Sequence, residues 1–270
     1  DEGALGQSAE RILGGEIPHR DFDEIYTGLL SFLHAGVFAL FGIKSVFLRI
    51  PLFLATMGWL VATYKLMLRF TPPAGAAAVA LVALVWSVPN YPASLPSWYI
   101  LFAATFCALA LVRWHETARP AYLLLAGALG GVAFLFKLSG IFVLLGGGLA
   151  LRATDVDRRG DRTARGSFEW LMSAALVLVA LALGVVAGRE GERQLLRYVL
   201  PTALIALAIL GRITAPPFAS AADRWRALWG RLGPFAIGAV VPVGLFLLFY
   251  VVVGGLPTML EGVFVTPFRR

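Results

Sequence analysis

Charge is scarce in this sequence. Asp, Glu, Lys and Arg together make up 14% of its 270 residues, against about a quarter in a soluble globular chain. That deficit, with 59% hydrophobic residues and a mean hydropathy of +0.80, excludes an ordinary soluble domain. Cysteine is nearly absent. The single Cys107 excludes an intramolecular disulfide framework, and its apolar neighbours Phe106, Ala108 and Leu109 suit plain packing. Histidine is sparse too: His19, His34 and His115 show no metal-ligand spacing, and His34 lies among Phe32, Leu33 and Ala35, where packing explains it. Gly146-Gly147-Gly148 lacks the Lys-Ser/Thr pair of a phosphate loop, so close helix packing is the better reading. The net charge of +7 does not require nucleic acid, because a surplus of Arg in cytoplasmic loops of a membrane protein accounts for it.

What the sequence has is long apolar runs. A membrane span needs about 17–25 largely uncharged residues, and the runs predict helices at 28–43, 45–67, 74–90, 97–114, 120–152, 168–188, 198–215 and 232–254. The expected fold class is therefore an all-α polytopic membrane protein. The 120–152 run is too long for one simple span and carries Lys137 in its middle, so it is either two short helices or one helix broken near Lys137-Leu138-Ser139-Gly140.

Arg distribution sets the expected topology. Arg152, Arg158, Arg159, Arg162 and Arg165 mark 153–167 as a cytoplasmic loop, and Arg212, Arg224, Arg226 and Arg231 mark a second one on the same side. The last helix then delivers 255–270 to the opposite face. Seven of the sixteen acidic residues lie in positions 1–24, which puts this N-terminal loop outside. That placement needs an odd number of crossings before Arg152, a parity met if 120–152 crosses once as a broken helix. Within the loop, Leu5, Ala9, Ile12 and Leu13 fall at helical spacing over Ala4 to Leu13, predicting a short interfacial amphipathic helix that Gly14-Gly15 ends. The chain begins Asp-Glu-Gly rather than Met and stops at Arg269-Arg270, so it reads as part of a longer polypeptide truncated at both ends, with 1–270 a single transmembrane domain (1–27 first outer loop, 28–152 core helices, 168–254 further helices, 255–270 outer loop).

Several residues can carry chemistry on their own account. A lone Lys in an apolar run is expensive and usually functional, although Lys137 can also snorkel to an interface if the helix breaks there. Clustered carboxylates at Asp21, Asp23 and Glu24 suit a divalent metal ion, with a solvated acidic loop as the alternative. The uncharged 88–98 loop, with three prolines, Tyr91 and Trp98, suits an aromatic belt at the membrane interface better than sugar stacking.

Motifs sharpen this reading. Asp1-Glu2-Gly3, then Ala9 through Phe22 (AERILGGEIPHRDF), then Leu40-Phe41-Gly42 and Arg49, resemble the polyprenyl-phosphate-sugar-dependent glycosyltransferases of the GT-C superfamily. These include the protein O-mannosyltransferase-like, family 39-like and aminoarabinose-transferase-like proteins. The resemblance is densest over 1–70 and returns at Phe136–Gly140 and at 255–270, while 168–215 matches only as generic membrane helix. Where relatives often carry Pro after the Tyr of the first loop, this chain has Thr27-Gly28.

The resemblance implies an inverting transferase. It would move a monosaccharide from a polyprenyl-phosphate donor to an acceptor hydroxyl of a protein, lipid or polysaccharide, on the extracytoplasmic face; the Ala/Arg/Gly-rich composition points to a bacterial plasma membrane. It implies Asp1, with Glu2, as the catalytic acidic pair, Asp1 being the general base. The leaving lipid phosphate needs a cation, for which Lys137 is the first choice and Arg269 and Arg270 the second. Arg20, Asp21, Asp23 and Glu24 are further substrate or metal residues, a divalent ion being the one cofactor suggested. Expected partners are the lipid-linked sugar, the acceptor and membrane lipid, and no nucleic acid. A flippase of lipid-linked sugars is the competing reading, but it would want paired broken helices with polar residues at mid-membrane depth, and Lys137 alone approaches that pattern. A catalytically silent membrane scaffold is the third.

Overall fold

The computed structural model describes residues 2–157, 177–178, 200, 204 and 221–266, with side chains for 2–151, 177, 178, 200, 204 and 225–266. Among these, every regular element is helical: α1 (Glu2–Leu13), α2 (Leu29–Phe41), α3 (Arg49–Met67), α4 (Pro73–Trp86), α5 (Pro96–Thr117), α6 (Pro120–Phe136), α7 (Ile141–Asp157), α8 (Ala221–Val252) and α9 (Leu256–Phe264), with short 3₁₀ turns at Ser45–Leu48, Val88–Asn90 and Leu138–Gly140. Ser45–Met67, Pro73–Asn90, Pro96–Thr117 and Trp225–Val252 are long and apolar enough to cross a membrane. The outward faces are apolar as well: Leu54, Met57 and Val61 on α3 and Leu81, Val82 and Val85 on α4 are exposed. Lipid requires such faces, and helices suit it because all their backbone bonds are internal. The protein is thus an all-α polytopic membrane protein, as its composition demands.

The chain divides into two compact units, Asp1–Gly147 with Gly233–Arg270, and Gly148–Leu232. In the second, the described residues include the end of α7 and the start of α8, where Leu151 and Leu228 are buried. The sequence-predicted spans at 168–188 and 198–215 lie outside the described residues, apart from isolated positions. The predicted 232–254 helix begins earlier, at Ala221, so the basic residues Arg224, Arg226 and Arg231 are helical rather than in a loop.

In the first unit, α3 to α6 form a bundle whose two ends are easy to tell apart. One end holds Arg69 after α3 and Arg113 with Glu116 on α5; Arg69 pairs with Glu116 at 2.7 Å. At the other end α3 begins, α4 finishes, α5 begins and α6 finishes, with Leu52, Val88, Tyr99 and Phe136 in one buried cluster. Leu5 of α1 and Leu30 of α2 complete that same cluster. Farther along both helices, Ala9 and Ile12 of α1 meet Ala35 and Phe38 of α2 around Leu48, just before α3.

Leu30, Ala35 and Phe38 of α2 thus lie against one end of the bundle, with Phe136 at the last turn of α6 and Leu48 and Leu52 at the start of α3. The apolar 28–43 run is not a helix threading the bundle. It is a second capping helix beside α1, and Gly28, with φ 105°, turns the chain into it. A left-handed N-cap suits glycine.

The long 120–152 run breaks where its Lys-Leu-Ser-Gly sequence predicts. Lys137 leaves the helix with φ −164° and ψ 147°, and Gly140 turns back against α6 so closely that a β-carbon there would lie 2.1 Å from the Ala133 carbonyl oxygen. Within the expected outer loop 255–270, Leu256–Phe264 form α9, after a left-handed Gly254 (φ 71°). Its Met259 and Val263 pack on Tyr250 of α8 with Ile17 and Leu138.

Small residues bring α6 and α8 together. A β-carbon on Gly127 would lie 1.8 Å from the Phe235 carbonyl oxygen, and one on Gly238 would lie 2.1 Å from that of Leu124. Backbone contact of this kind replaces the hydrophobic drive that lipid cannot supply. Of the Gly146-Gly147-Gly148 run, Gly147 alone packs tightly, against the Phe235 ring; Gly146 and Gly148 have nothing within 4 Å of such a carbon. Gly127→Ala should cost about 1–3 kcal/mol by overpacking, whereas Gly146→Ala should leave stability unchanged. Thermal unfolding in detergent reads the difference, and equal midpoints for the two variants would contradict this helix crossing.

Candidate active site

Glu2 is the first residue of α1, where a carboxylate complements the helix dipole. Arg49, the first residue of α3, grips it with both arms of the guanidinium: Nη2 donates to Oε2 at 3.0 Å and Nε to Oε1 at 3.3 Å. The Ser94 backbone N–H donates to Oε1 at 3.3 Å. The Glu2 side chain is 17% exposed, so water competes weakly for these bonds. A fork on a carboxylate fixes orientation as well as charge. Asp1, its chain neighbour, lies outside the described residues, as do Arg269 and Arg270.

Behind the Glu2 contact sits a buried polar chain. His34 Nε2 lies 2.9 Å from Ser94 Oγ, which lies 3.0 Å from the Tyr99 hydroxyl. His34 and Ser94 are both 0% exposed, and His34 Nδ1 has no hydrogen-bond partner among the described residues. A buried polar atom without a partner costs about 1–3 kcal/mol. Sequence reasoning treated His34 as packing and the 88–98 loop as an aromatic belt. The loop's aromatic edge does stay outward, with Tyr91 55% exposed, but its buried Ser94 is what meets the acidic residue. A polar side chain within the apolar α2 run was the available signal.

Lys137 stands at the same end of the bundle. Its Nζ lies 5.6 Å from the centre of the Tyr26 ring, a cation–π contact, and Thr27 Oγ1 donates to the Phe134 carbonyl at 3.2 Å, holding the first loop to α6. An apolar pocket of about 440 Å³ is lined by Leu29 and Phe32 of α2, Val132 and Leu135 of α6, and Pro242, Leu245, Phe246 and Phe249 of α8.

The remaining predicted residues are engaged in holding the loop. Arg20 pairs with Asp21 through two bonds at 2.9 and 2.7 Å, and its Nη1 donates to the Val253 carbonyl at 3.1 Å. Asp21 Oδ2 also accepts the Ile17 N–H at 2.8 Å, and Tyr250 donates its hydroxyl to the Pro18 carbonyl at 3.1 Å. The Pro-His-Arg-Asp-Phe segment is thus a latch joining the first loop to the end of α8. Glu24 is buried and accepts from Ser31 Oγ at 2.7 Å and from the Ile25 N–H at 2.9 Å. Asp21 and Glu24 therefore direct their oxygens to protein donors, and no group of three His, Cys, Asp or Glu side chains able to hold a metal gathers among the described residues. His19, in the left-handed region at φ 62°, bonds the Tyr26 carbonyl through Nε2 at 2.9 Å. Burial holds its imidazole below the ordinary value, against the opposing pull of that carbonyl, Glu24 and Asp23.

Residues 28–186 match the family described as dolichyl-phosphate-mannose-protein mannosyltransferase. This is more than half the sequence. The chain belongs to that family. The matched span takes in His34, Arg49, Ser94 and Lys137, and begins after the loop that carries Asp1, Glu2 and the latch. No curated protein and no solved structure matches the chain. Membership establishes a membrane glycosyltransferase of the GT-C type, built from the apolar helices described above.

The latch of this mannosyltransferase-family chain should be acid-labile. The Arg20 hydrogen bonds, then the Ile17 N–H, hold the Asp21 carboxyl below its usual range. A depressed folded pKa stabilises above the unfolded value, about pH 4, and that contribution disappears as pH falls below it. Hydrogen-exchange protection of the Ile17 amide, corrected for intrinsic rate, should be flat above about pH 4 and decline below it. Asp21→Asn should be poorly protected throughout. Protection that stays level into strong acid would refute the latch.

Proposed function

We propose that this chain carries the catalytic face of an inverting glycosyltransferase that takes its sugar from a polyprenyl-phosphate donor. One observation supports this reading above the others: the acidic α1 start and Lys137 share one end of the bundle, a capped end, with the capping helix α2 also lining the apolar pocket. Asp1, directly preceding the clamped Glu2, is the general base. The acceptor hydroxyl gives its proton to Asp1 as its oxygen bonds to the anomeric carbon, and the bond from that carbon to the phosphate oxygen breaks with its electron pair. Lipid phosphate leaves as the anion. Lys137 offsets its growing charge, with Arg269 and Arg270 as second candidates, and the isoprenoid tail occupies the pocket between α2, α6 and α8. This balance of proton and charge is what acid–base and electrostatic catalysis supply to a poor alcohol nucleophile.

This end of the bundle is the extracytoplasmic one in our reading. With α2 capping rather than crossing, α3, α4, α5, α6 and α7 give five crossings between the acidic loop and the Arg-rich 153–167 linker. In this reading 120–152 crosses twice, where the sequence expectation takes one broken crossing, and the count stays odd. The opposite end carries Lys65, Arg69, Arg113 and Arg119, in keeping with the positive-inside rule.

The test uses full-length protein in liposomes with radiolabelled polyprenyl-phosphate sugars. Asp1→Asn should lower kcat by at least about 100-fold, the scale of lost general-base catalysis, with donor KM little changed. Lys137→Met should lower kcat/KM by at least about tenfold, since it removes charge stabilisation of the leaving group. Labelled lipid that crosses the bilayer unconsumed, equally with wild type and Asp1→Asn, would replace the transferase with a flippase.

A further inference from the structure

We infer that His34 is a positioning residue for the transfer reaction, acting through Ser94 on the Glu2 carboxylate. The inference rests on the reading above, in which the acidic pair at the start of α1 does the chemistry. Three independent contacts converge on Ser94. Its hydroxyl sits between His34 Nε2 at 2.9 Å and the Tyr99 hydroxyl at 3.0 Å, and its backbone N–H reaches Glu2 Oε1 at 3.3 Å. The 91–95 segment around it has no regular structure; the Leu95 N–H bonds the Ala93 carbonyl across Ser94 at 2.9 Å, and the two side-chain bonds of Ser94 add to that local turn in orienting its amide. His34 comes from α2, Tyr99 from α5, and each is itself buried.

Packing alone does not ask for this arrangement. At a 0% exposed site facing Leu30 and Ala35 neighbours on the same helix, Leu would fill the volume without burying an imidazole whose other nitrogen has no partner among the described residues. The polar group is placed where it can hold a hydroxyl. Arg49 grips the same carboxylate from the opposite side of the chain, at the start of α3. Glu2 is thereby fixed from α3 by charge and from the α4–α5 loop by an amide whose position depends on His34. Asp1 precedes it directly, so a shift in Glu2 shifts the base, and small misplacements of a reacting group are costly in rate.

The experiment compares His34→Gln and His34→Leu in the liposome transfer assay. A Gln amide can donate to or accept from the Ser94 hydroxyl; Leu can do neither. His34→Gln should keep kcat within about threefold of wild type, whereas His34→Leu should lose at least about tenfold in kcat with donor KM unchanged. A thermodynamic cycle with Glu2→Ala separates positioning from general damage: in that background His34→Leu should have almost no further effect, because residues acting in series are not additive. Full activity of His34→Leu, equal losses in both His34 variants, or independent losses multiplying in the Glu2→Ala background would each overturn the inference. An active Asp1→Asn would instead remove the underlying base assignment, and the cycle between His34 and Glu2 reads the coupling whichever residue accepts the proton.

Discussion

The architecture turns on one ion pair. Arg49 opens α3 and Glu2 opens α1; their fork fastens the cap to the bundle. An isolated twelve-residue helix is marginal in water, and α1 has only Leu5, Gly6, Ser8 and Ala9 buried. It stays in place because its first carboxylate is gripped while Leu5 enters the cluster of Leu52, Tyr99 and Phe136. The same grip decides where Glu2 stands. The structural fastening and the proposed chemistry therefore use adjacent residues, and neither can drift without the other.

Around this point the first loop is secured by contacts of a different kind. The Arg20–Asp21 pair reaches the end of α8, Tyr250 reaches back to Pro18, and Gly262 of α9 leaves room for His19, whose ring would sit 2.5 Å from a β-carbon there. Most of these are side-chain bonds to backbone atoms. They fix a loop in one shape without burying lone charges. The apolar pocket lies between helices α2, α6 and α8, with no charged residue along its walls.

Much of this was legible from residues alone. Scarce charge and long apolar runs predict the helical membrane class, and Lys-Leu-Ser-Gly predicts the break after α6, because an extended lysine and a glycine pressed on Ala133 both interrupt a helix. Leu5 and Ala9 marked the buried stripe of α1. What hydropathy could not convey was direction. The α2 run is as apolar as a span, and only the partners of Leu30, His34 and Phe38 reveal that it lies across the bundle end. Likewise Arg20 and Asp21 looked like substrate or metal residues, since sequence does not disclose that each is the other's partner. His34 was read as filler because its partner, Ser94, lies sixty residues away in an uncharged loop.

The central claim is that both ends of α2 lie on the acidic face, so that the cap and the bundle end form one outward surface. Cysteine accessibility in sealed, oriented vesicles tests it directly, in a Cys107→Ser background with single cysteines at Glu10, Lys44 or Thr117. A membrane-impermeant maleimide added outside should label the first two positions and reach Thr117→Cys only after the vesicles are opened. Labelling of Glu10→Cys and Lys44→Cys from opposite faces would mean that α2 crosses the membrane, and the capped catalytic face described here would not exist.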